Sequence, residues 1–217
     1  SMIKAEGIHK TFEDFTALDN ITCNISDGCI YGMVGSNGAG KSTFLRVLSG
    51  IYKPDKGCAY IDDEPIYENP KVKENIVFVS DELFFLPGAT MSKMADFYSS
   101  IYDRFNYDRF LKLAELFELN IKKPIANFSK GMKRQASIIL ALSTRAKYMF
   151  FDETFDGLDP VMRNLVKKLI CNDVAEYDTT VIVTSHSLRE LEDICDHLAL
   201  LHKGGLVLAL LPWQDSG

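Results

Sequence analysis

The sequence predicts an α/β fold in which a mostly parallel β-sheet carries helices on both faces. Two observations support this prediction. Short apolar stretches of strand length alternate with helical segments, and clusters of Gly, Pro and Asp separate them. Repeated strand-then-helix order favours parallel neighbours, since such connections cross over one face of the sheet. A chain of 217 residues is long enough for one such domain with a sizeable core.

The first predicted elements lie before residue 51. Apolar and polar residues alternate over residues 21–26, as in a half-buried strand, and Asp27-Gly28 then predicts a turn. Residues 29–34 form a nearly continuous apolar run, which is typical of a strand buried on both faces. A helix is expected to begin at Lys41 and to end near Gly50.

The middle of the chain predicts short strands followed by a helical insertion. Turn residues at 54–57 precede predicted strands at 58–62 and 76–80. Residues 91–118 are helical in pattern and rich in aromatic side chains, within an insertion that runs from about 83 to 127. We therefore predict one domain over residues 2–217, with a helical subdomain inserted at about 83–145.

The last part of the chain returns to strand and helix alternation. A helix is expected to begin after Ser129, and two further strands are predicted to end at Asp152 and Thr184. Lys203-Gly204-Gly205 predicts a hairpin turn between strands near Leu198 and Val207.

Composition narrows the functional class. A formal net charge of -6 disfavours broad nucleic-acid binding, so no nucleic-acid partner is expected. No apolar stretch reaches the roughly 18 residues of a membrane-spanning helix, which predicts a cytoplasmic protein. The five cysteines show no C-x-x-C spacing and predict neither a zinc site nor disulfides; they are Cys23, Cys29, Cys58, Cys171 and Cys195.

A glycine-rich loop between the second predicted strand and the following helix is the most specific motif. Its spacing, G-x-x-x-x-G-K-[ST], is that of a loop that binds nucleotide phosphates. Glycines permit the tight turn, the helix N-terminus favours anions, and Lys41 adds a full charge toward the β and γ phosphates. Ser42 is expected to bind Mg²⁺, with Thr43 as a further phosphate contact. The loop consists of Gly35, Ser36, Asn37, Gly38, Ala39, Gly40, Lys41 and Ser42.

Two adjacent carboxylates follow a hydrophobic strand and complete the expected ATP site. Asp152 and Glu153 come after residues 148–151, at the end of the sheet where ligands bind in such folds. We expect Asp152 to hold Mg²⁺ through water and Glu153 to polarise the attacking water as general base. The two acids are consistent with hydrolysis of a nucleoside triphosphate.

One further motif resembles a specific family. The segment Asn127 to Gln135, which contains Ser129, Lys130, Gly131 and Met132, is similar to the signature motif of the ABC ATPases. That motif is usually Leu-Ser-Gly-Gly-Gln, so positions 128, 130 and 132 depart from it. The resemblance implies an ABC ATPase architecture: a P-loop NTPase core, an antiparallel β subdomain and a helical subdomain. Ser129 is also an N-cap candidate, and the helix it begins directs its dipole toward an anion.

In ABC ATPases the signature contacts ATP bound to the opposite protomer. The resemblance therefore implies a homodimer or a pair of related ATPase subunits, in which Lys41 and Ser129 of different chains contact one ATP. Lys130, where glycine is common, strengthens the phosphate contact or serves another surface. An ordinary capped helix is the alternative interpretation of this segment.

Later motifs follow the order of the family. Gly157-Leu158-Asp159-Pro160 resembles the D-loop, which contains Asp159, and His186 matches the switch histidine. The resemblance implies that His186 reaches the γ-phosphate and holds Glu153 and water in place. Phe12 matches the aromatic residue that stacks on adenine, although Phe15 competes for this role and core packing is the alternative.

One position departs from the family in a way that affects metal binding. Asp81 stands where ABC ATPases usually have a glutamine, and the only glutamines of the chain are Gln135 and Gln214. A carboxylate oxygen of Asp81 is still a candidate ligand for Mg²⁺, on a shorter and negatively charged side chain. The substitution leaves the hydrolysis rate and its coupling open.

The resemblance implies an ATP-hydrolysing subunit that drives a separate integral-membrane permease from the inner face of the cell membrane. The form of the signature, and Asp81-Glu82, favour the bacterial exporter type over importers. Aromatic side chains of the insertion pack its own core or receive a permease helix. The alternatives are a non-transport ABC ATPase that acts on DNA or the ribosome, a P-loop kinase, and a nucleotide-binding module without turnover. The signature disfavours the kinase, and Glu153 with His186 disfavours the inactive module.

Overall fold

The computed structural model describes residues 2–210, which form two β-sheets and seven α-helices. The strands are β1 (Met2–Phe12), β2 (Phe15–Ser26), β3 (Ile30–Val34), β4 (Lys56–Ile61), β5 (Glu64–Pro65), β6 (Ile76–Val79), β7 (Tyr148–Asp152), β8 (Thr180–Ser185), β9 (His197–His202) and β10 (Gly205–Leu210). The helices are α1 (Lys41–Leu48), α2 (Pro70–Lys73), α3 (Met91–Ile101), α4 (Tyr107–Leu116), α5 (Lys130–Ser143), α6 (Pro160–Tyr177) and α7 (Leu188–Leu191).

The larger sheet is mostly parallel, as predicted. Its strand order is β10-β9-β3-β8-β7-β6, and only β10 pairs with its neighbour in the antiparallel direction. Alternate residues of β8 pack into different cores: Val181 and Val183 face α3 to α6, whereas Ile182 faces α1 and the smaller sheet. Strands β3, β7 and β8 are buried along their whole length, which explains their continuous apolar sequences.

The smaller sheet is antiparallel, with strand order β2-β1-β4-β5. The sequence pattern does not reveal β1 and predicts only the second half of β2. The reason is local: pairing shifts between Ala5 and Ile8, where Gly7 adopts a φ of 58°. This irregularity interrupts the alternation by which a half-buried strand is recognised.

The aromatic insertion forms two helices instead of one continuous segment. Helix α3 ends at Ile101, and Asn106 begins α4 by accepting a hydrogen bond from the backbone N–H of Arg109. Across residues 2–210, every helix is too short or too polar to cross a bilayer. The predicted domain boundaries at 2–217 and 83–145 remain predictions; residues 211–217, which include Gln214, lie outside the described part.

Candidate functional site

The phosphate loop, the paired acids and His186 follow three neighbouring strands of the larger sheet. Gly35 follows β3, His186 follows β8, and Asp152 ends β7. Because these strands are parallel, the segments that follow them meet at one edge of the sheet. The fold thereby brings together motifs that lie up to about 150 residues apart in the sequence.

The phosphate loop requires glycine at positions where the backbone is crowded. A Cβ on Gly35 would lie 2.5 Å from the carbonyl oxygen of Leu201, and one on Gly40 would lie 2.5 Å from that of Ala17. Gly40 also has a φ of 104°, which side-chain-bearing residues rarely adopt. Gly38, with a φ of 81°, has open space around it. Helix α1 then begins at Lys41 with Gly40 as its N-cap.

The turn between β9 and β10 is hydrogen-bonded to the phosphate loop. The backbone N–H of Gly204 donates to the carbonyl of Ala39 at 2.9 Å, and the Gly204 carbonyl accepts from Asp19 at 2.8 Å. Gly204 is itself packed against the Ala17 carbonyl, so a larger residue would not fit. The phosphate loop is therefore fixed between the smaller sheet and the final hairpin.

The ammonium group of Lys41 is almost fully buried among acceptors. It donates to the carbonyl oxygens of Gly35 and Ser36, the latter at 3.0 Å, and lies 3.3 Å from Glu153 Oε1. The predicted phosphate-binding cation and the predicted general base are thus direct neighbours. Glu153 has a left-handed φ of 51°, an unusual conformation that marks a sharp turn directly after β7.

Asp152 is fully buried and joins the phosphate-loop helix to β8. Ser42 Oγ donates to its Oδ2 at 2.6 Å, and Thr184 Oγ1 donates to its Oδ1 at 2.8 Å. Burial raises the pKa of Asp152, and the two hydroxyl hydrogen bonds partly oppose this shift. The oxygens of Ser42 and Asp152 form a compact, hard donor set that fits Mg²⁺. Thr184 also accepts a hydrogen bond from the Glu153 N–H at 3.0 Å.

Asp81 lies near this donor set but is held by other groups. Its Oδ1 accepts hydrogen bonds from Ser80 Oγ at 3.2 Å and the Glu82 N–H at 3.0 Å, and Arg46 Nη2 lies 3.7 Å away. The negative charge of Asp81 contributes to the raised pKa of Asp152. Asp81 is therefore close enough to influence the predicted metal site, and Arg46 of α1 offsets its charge.

His186 pairs with an acid that the sequence analysis did not select. Its Nδ1 lies 2.9 Å from Asp156 Oδ2, and the imidazole is more than half exposed. Donor atoms of His186, Asp156 and Glu153 all lie within 4.8 Å of one another. The predicted switch histidine is thus adjacent to the predicted general base.

The signature segment occupies the exposed start of α5. Ser129 accepts a hydrogen bond from the Met132 N–H at 3.2 Å and acts as the predicted N-cap. Ser129 and Lys130 are exposed, whereas Gly131 and Met132 are partly buried. Within residues 2–210, no hydrogen bond or ion pair joins these four residues to the phosphate loop of the same chain.

The signature helix nevertheless contacts the turn that contains the predicted D-loop. The Arg134 side chain covers Gly157 so closely that a Cβ there would lie 2.2 Å from Arg134 Nε. Arg134 Nη1 also lies 3.5 Å from the Glu153 carbonyl oxygen. Asp159 is exposed and caps α6 by accepting from the Met162 N–H at 3.0 Å. The helix that begins at Ser129 is therefore coupled to the turn after Glu153.

Phe12 lies at the end of β1 and belongs to a small aromatic cluster. Its ring makes an edge contact with Tyr52 at 5.4 Å between centroids, and Lys10 Nζ lies 5.3 Å from its centroid. Phe12 is 40% exposed and Phe15 is 56% exposed, so neither is a core residue. Of the two, Phe12 has the side chain that is held in place.

Sequence patterns alone do not single out Thr184, Asp156, Arg46 or Arg134, which contact predicted site residues in the structure. Thr184 ends a predicted strand, and its position opposite Asp152 depends on strand order. Asp156 lies between Glu153 and the predicted D-loop, and this position in the sequence was an indication that it belongs to the site. The five cysteines are free thiols in the structure.

The chain has clear relatives among proteins of known type. Residues 18–156 match the ABC transporter family. The ATP-binding protein YtrB of Bacillus subtilis is 32% identical over 205 residues, which cover 94% of this chain and 70% of YtrB. The bacitracin transport ATP-binding protein BcrA of Bacillus licheniformis is 30% identical, with coverage of 95% and 69%.

Solved structures agree on the fold. An ATP-binding subunit of an ABC transporter superposes with a TM-score of 0.89 at 22% identity, covering 97% of this chain and 90% of the other. A dimeric bacterial ABC transporter cassette superposes with a TM-score of 0.88 at 21% identity, with coverage of 98% and 99%. Both the motifs and the fold therefore lead to the same assignment: the chain belongs to the ABC transporter family as an ATP-binding and ATP-hydrolysing subunit.

Proposed function

We propose that two such subunits, identical or paralogous, close around Mg-ATP and drive a separate membrane permease in the direction of export. The observation that carries this proposal is the cluster of Lys41, Ser42, Asp152 and Glu153 at one edge of the sheet. This cluster supplies half of an ATP site, and the exposed Ser129 N-cap supplies a phosphate-binding group for another chain.

Each residue has a role in this proposal. Lys41 binds the β and γ phosphates, while Ser42 and Asp152 hold Mg²⁺, with Asp81 as a further ligand. When bound there, Mg²⁺ would supply positive charge that offsets the charge of the nucleotide phosphates. Glu153 orients and deprotonates the attacking water. His186 contacts the γ-phosphate and holds Glu153 in position. Phe12 stacks on adenine, and Asp159 contacts the partner subunit.

The partner chain completes the site through its signature. Ser129 and the residues that follow it approach the γ-phosphate, and Lys130 adds a positive charge there. Arg134 transmits closure at the signature to the turn after Glu153, because it contacts both Gly157 and the Glu153 carbonyl. Hydrolysis by one subunit alone is therefore not expected.

A groove beside the ATP site is the proposed docking surface for the permease. It has a volume of about 310 Å³, and Arg46, Phe78, Ser80, Leu83, Phe84 and Tyr98 contribute to its lining. Phe84 is 67% exposed, which is unusual for phenylalanine and suits an apolar anchor of a partner helix. Arg46 lines this groove and also lies 3.7 Å from Asp81, whose charge acts on Asp152, so the groove and the metal site are connected.

Export is favoured by the relatives. BcrA is named for bacitracin transport and SrtF of Streptococcus pyogenes, 26% identical, for lantibiotic transport. Action on DNA or the ribosome is not favoured, since these relatives are transport proteins. The proposed place in the cell is the inner face of the membrane, at the permease.

Mixed dimers test the shared site. A Lys41→Ala subunit and a Ser129→Arg subunit are each expected to be inactive, whereas their mixture recovers up to about a quarter of wild-type ATPase activity through one intact site per mixed dimer. Absence of recovery, with both proteins folded, would contradict the shared site. Affinity purification from native membranes tests the role: a polytopic membrane protein supports transport, and ribosomes or DNA would contradict it.

A further inference from the structure

Asp156 lies in a short 3₁₀ turn, Thr154–Gly157, between Glu153 and the segment that contains Asp159. It is largely buried, with 17% of its side chain exposed, and its two oxygens have different partners. Oδ1 accepts from Ser185 Oγ at 3.1 Å, and the same Ser185 oxygen accepts from the Ser187 N–H at 3.0 Å. The carboxylate is therefore anchored to the end of β8.

The second oxygen, Oδ2, is fully buried and faces His186 Nδ1 at 2.9 Å. The ring lies off the ideal line for a hydrogen bond, and no other donor in residues 2–210 satisfies Oδ2. An unsatisfied buried carboxylate oxygen is costly, and His186 Nδ1 is the donor that lies within reach of it. The structure thus favours one orientation of His186.

This orientation has a chemical consequence. A carboxylate accepts hydrogen bonds and does not donate, so Nδ1 must carry the proton that faces Asp156. The outward-facing Nε2 is then the nitrogen available to the γ-phosphate and the attacking water, in a ring that is more than half exposed. We propose that Asp156 is a positioning residue that fixes the orientation and tautomer of His186 for ATP hydrolysis.

Asp156 also lies in the turn that joins Glu153 to the predicted D-loop, next to the signature helix. Gly157, directly after it, is covered by Arg134 of the signature helix. Movement of the signature helix during closure of the dimer therefore displaces Gly157 and the adjacent Asp156. The contact between Asp156 and His186 then moves the imidazole. This inference rests on the proposed catalytic role of His186.

Asp156→Ala and His186→Ala, alone and combined, test the inference. We expect Asp156→Ala to lower kcat by about 10- to 100-fold, the effect of losing one charge-assisted contact, with the Kd for Mg-ADP changed less than twofold. Asp156→Asn keeps an acceptor for Nδ1–H and should recover most of the activity. In the His186→Ala background, Asp156→Ala should cost less than about threefold further, because the two residues act as one unit.

Several results would overturn this inference. Multiplicative losses in the double variant would show that Asp156 acts independently of His186, and equal damage from Asn and Ala would exclude positioning through an acceptor. Full activity of His186→Ala would overturn the histidine role itself, a distinct failure. If Asp156→Ala is unstable, Ser185→Ala gives a milder second test, because it removes only the hydrogen bond to Oδ1. The matched control is Glu192→Ala, which removes an exposed acid after β8.

Discussion

The ammonium group of Lys41 lies 3.3 Å from the carboxylate of Glu153, so the predicted phosphate ligand and the predicted general base form an ion pair. The lysine is 4% exposed and the glutamate 22% exposed. A γ-phosphate bound to Lys41 competes with Glu153 for the same positive charge. The pair therefore connects nucleotide affinity with the position of the predicted general base.

Glu153→Gln separates these two effects. Removal of the competing charge should tighten Mg-ATP binding by up to about fivefold, and loss of the base should lower turnover at least about 100-fold. Equilibrium titration and steady-state kinetics measure the two quantities. An ATP-bound dimer should accumulate on size-exclusion chromatography; a variant that stays monomeric with saturating Mg-ATP would contradict the shared-site mechanism.

Two glycines of the phosphate loop provide a matched pair. Gly40→Ala places a methyl group 2.5 Å from a backbone oxygen, whereas Gly38→Ala enters open space at a similarly positive φ. We expect Gly38→Ala to cost roughly 1–2 kcal/mol of stability, the penalty of left-handed backbone alone. Gly40→Ala should cost more and weaken ATP binding at least about tenfold. Equal melting temperatures for the two variants would contradict the crowding argument.

Asp152→Asn should stabilise the protein while abolishing hydrolysis. Because burial raises the folded-state pKa of Asp152, the folded state binds the proton more tightly than the unfolded state. This contribution to stability therefore falls as pH rises through the window between the two pKa values, and the loss is complete above the folded-state pKa. Neutral asparagine removes the penalty; its amide oxygen can accept from one of the two hydroxyls of Ser42 and Thr184, and its NH2 can donate to the other hydroxyl oxygen.

The measurement is thermal unfolding between pH 4 and pH 8. At neutral pH without nucleotide, a gain of roughly 1 kcal/mol corresponds to about 2–4 °C for a domain of this size. The difference from wild type should shrink toward pH 4. Asp63→Asn, at a side chain that is 86% exposed, is the control and should change the melting temperature little. A lower melting temperature for Asp152→Asn would show that the lost hydrogen bonds outweigh desolvation.

Phe12 and Phe15 can be separated by adenine-nucleotide affinity. Phe12→Ala removes the ring that Tyr52 and Lys10 hold in place and should raise the Kd for Mg-ADP by about 5- to 150-fold, the range of one base–aromatic stack. Phe15→Ala should change the Kd less than twofold. Isothermal titration calorimetry measures both, and the opposite ranking would assign the adenine contact to Phe15.

Phe84, which lines the groove next to Arg46, should contact the permease without taking part in basal hydrolysis. Phe84→Asp is expected to reduce co-purification of the membrane partner at least about tenfold, since a charge replaces a central apolar anchor. ATPase activity of the isolated subunit should stay within about twofold of wild type. Leu116→Asp, a 50% exposed position of α4, is the control; equal loss with both variants would place the interface elsewhere.

The predictability of this fold follows from local pattern. Buried parallel strands such as β3 and β8 have continuous apolar sequences, and their predicted ends agree with the structure to within one residue. Strand β1 was missed because Gly7 interrupts its alternation. Motif residues with a fixed local spacing, such as Gly35 to Ser42, can be recognised from the sequence alone. The relations of Asp156 to His186 and Thr184 to Asp152 depend on strand order, which periodicity does not encode.

Asp81 shows the same limit at a single position. The sequence identifies an unusual acid, and only the structure shows that Arg46, 35 positions earlier, lies beside it. The pairing arises because α1 and the segment after β6 lie on the same edge of the sheet. Charge compensation of this kind is set by packing and cannot be read from sequence spacing.

The hydrogen bonds of Gly204 to Ala39 and Asp19 have a consequence for biosynthesis. Lys41 leaves the ribosome long before Gly204, and at about 5–20 residues per second the interval is on the order of ten seconds. During this time the nascent phosphate loop lacks one of its two supporting sides. A nascent chain is therefore expected to acquire full nucleotide affinity only after Gly204 has been synthesised, so that translation products truncated before it bind ATP weakly.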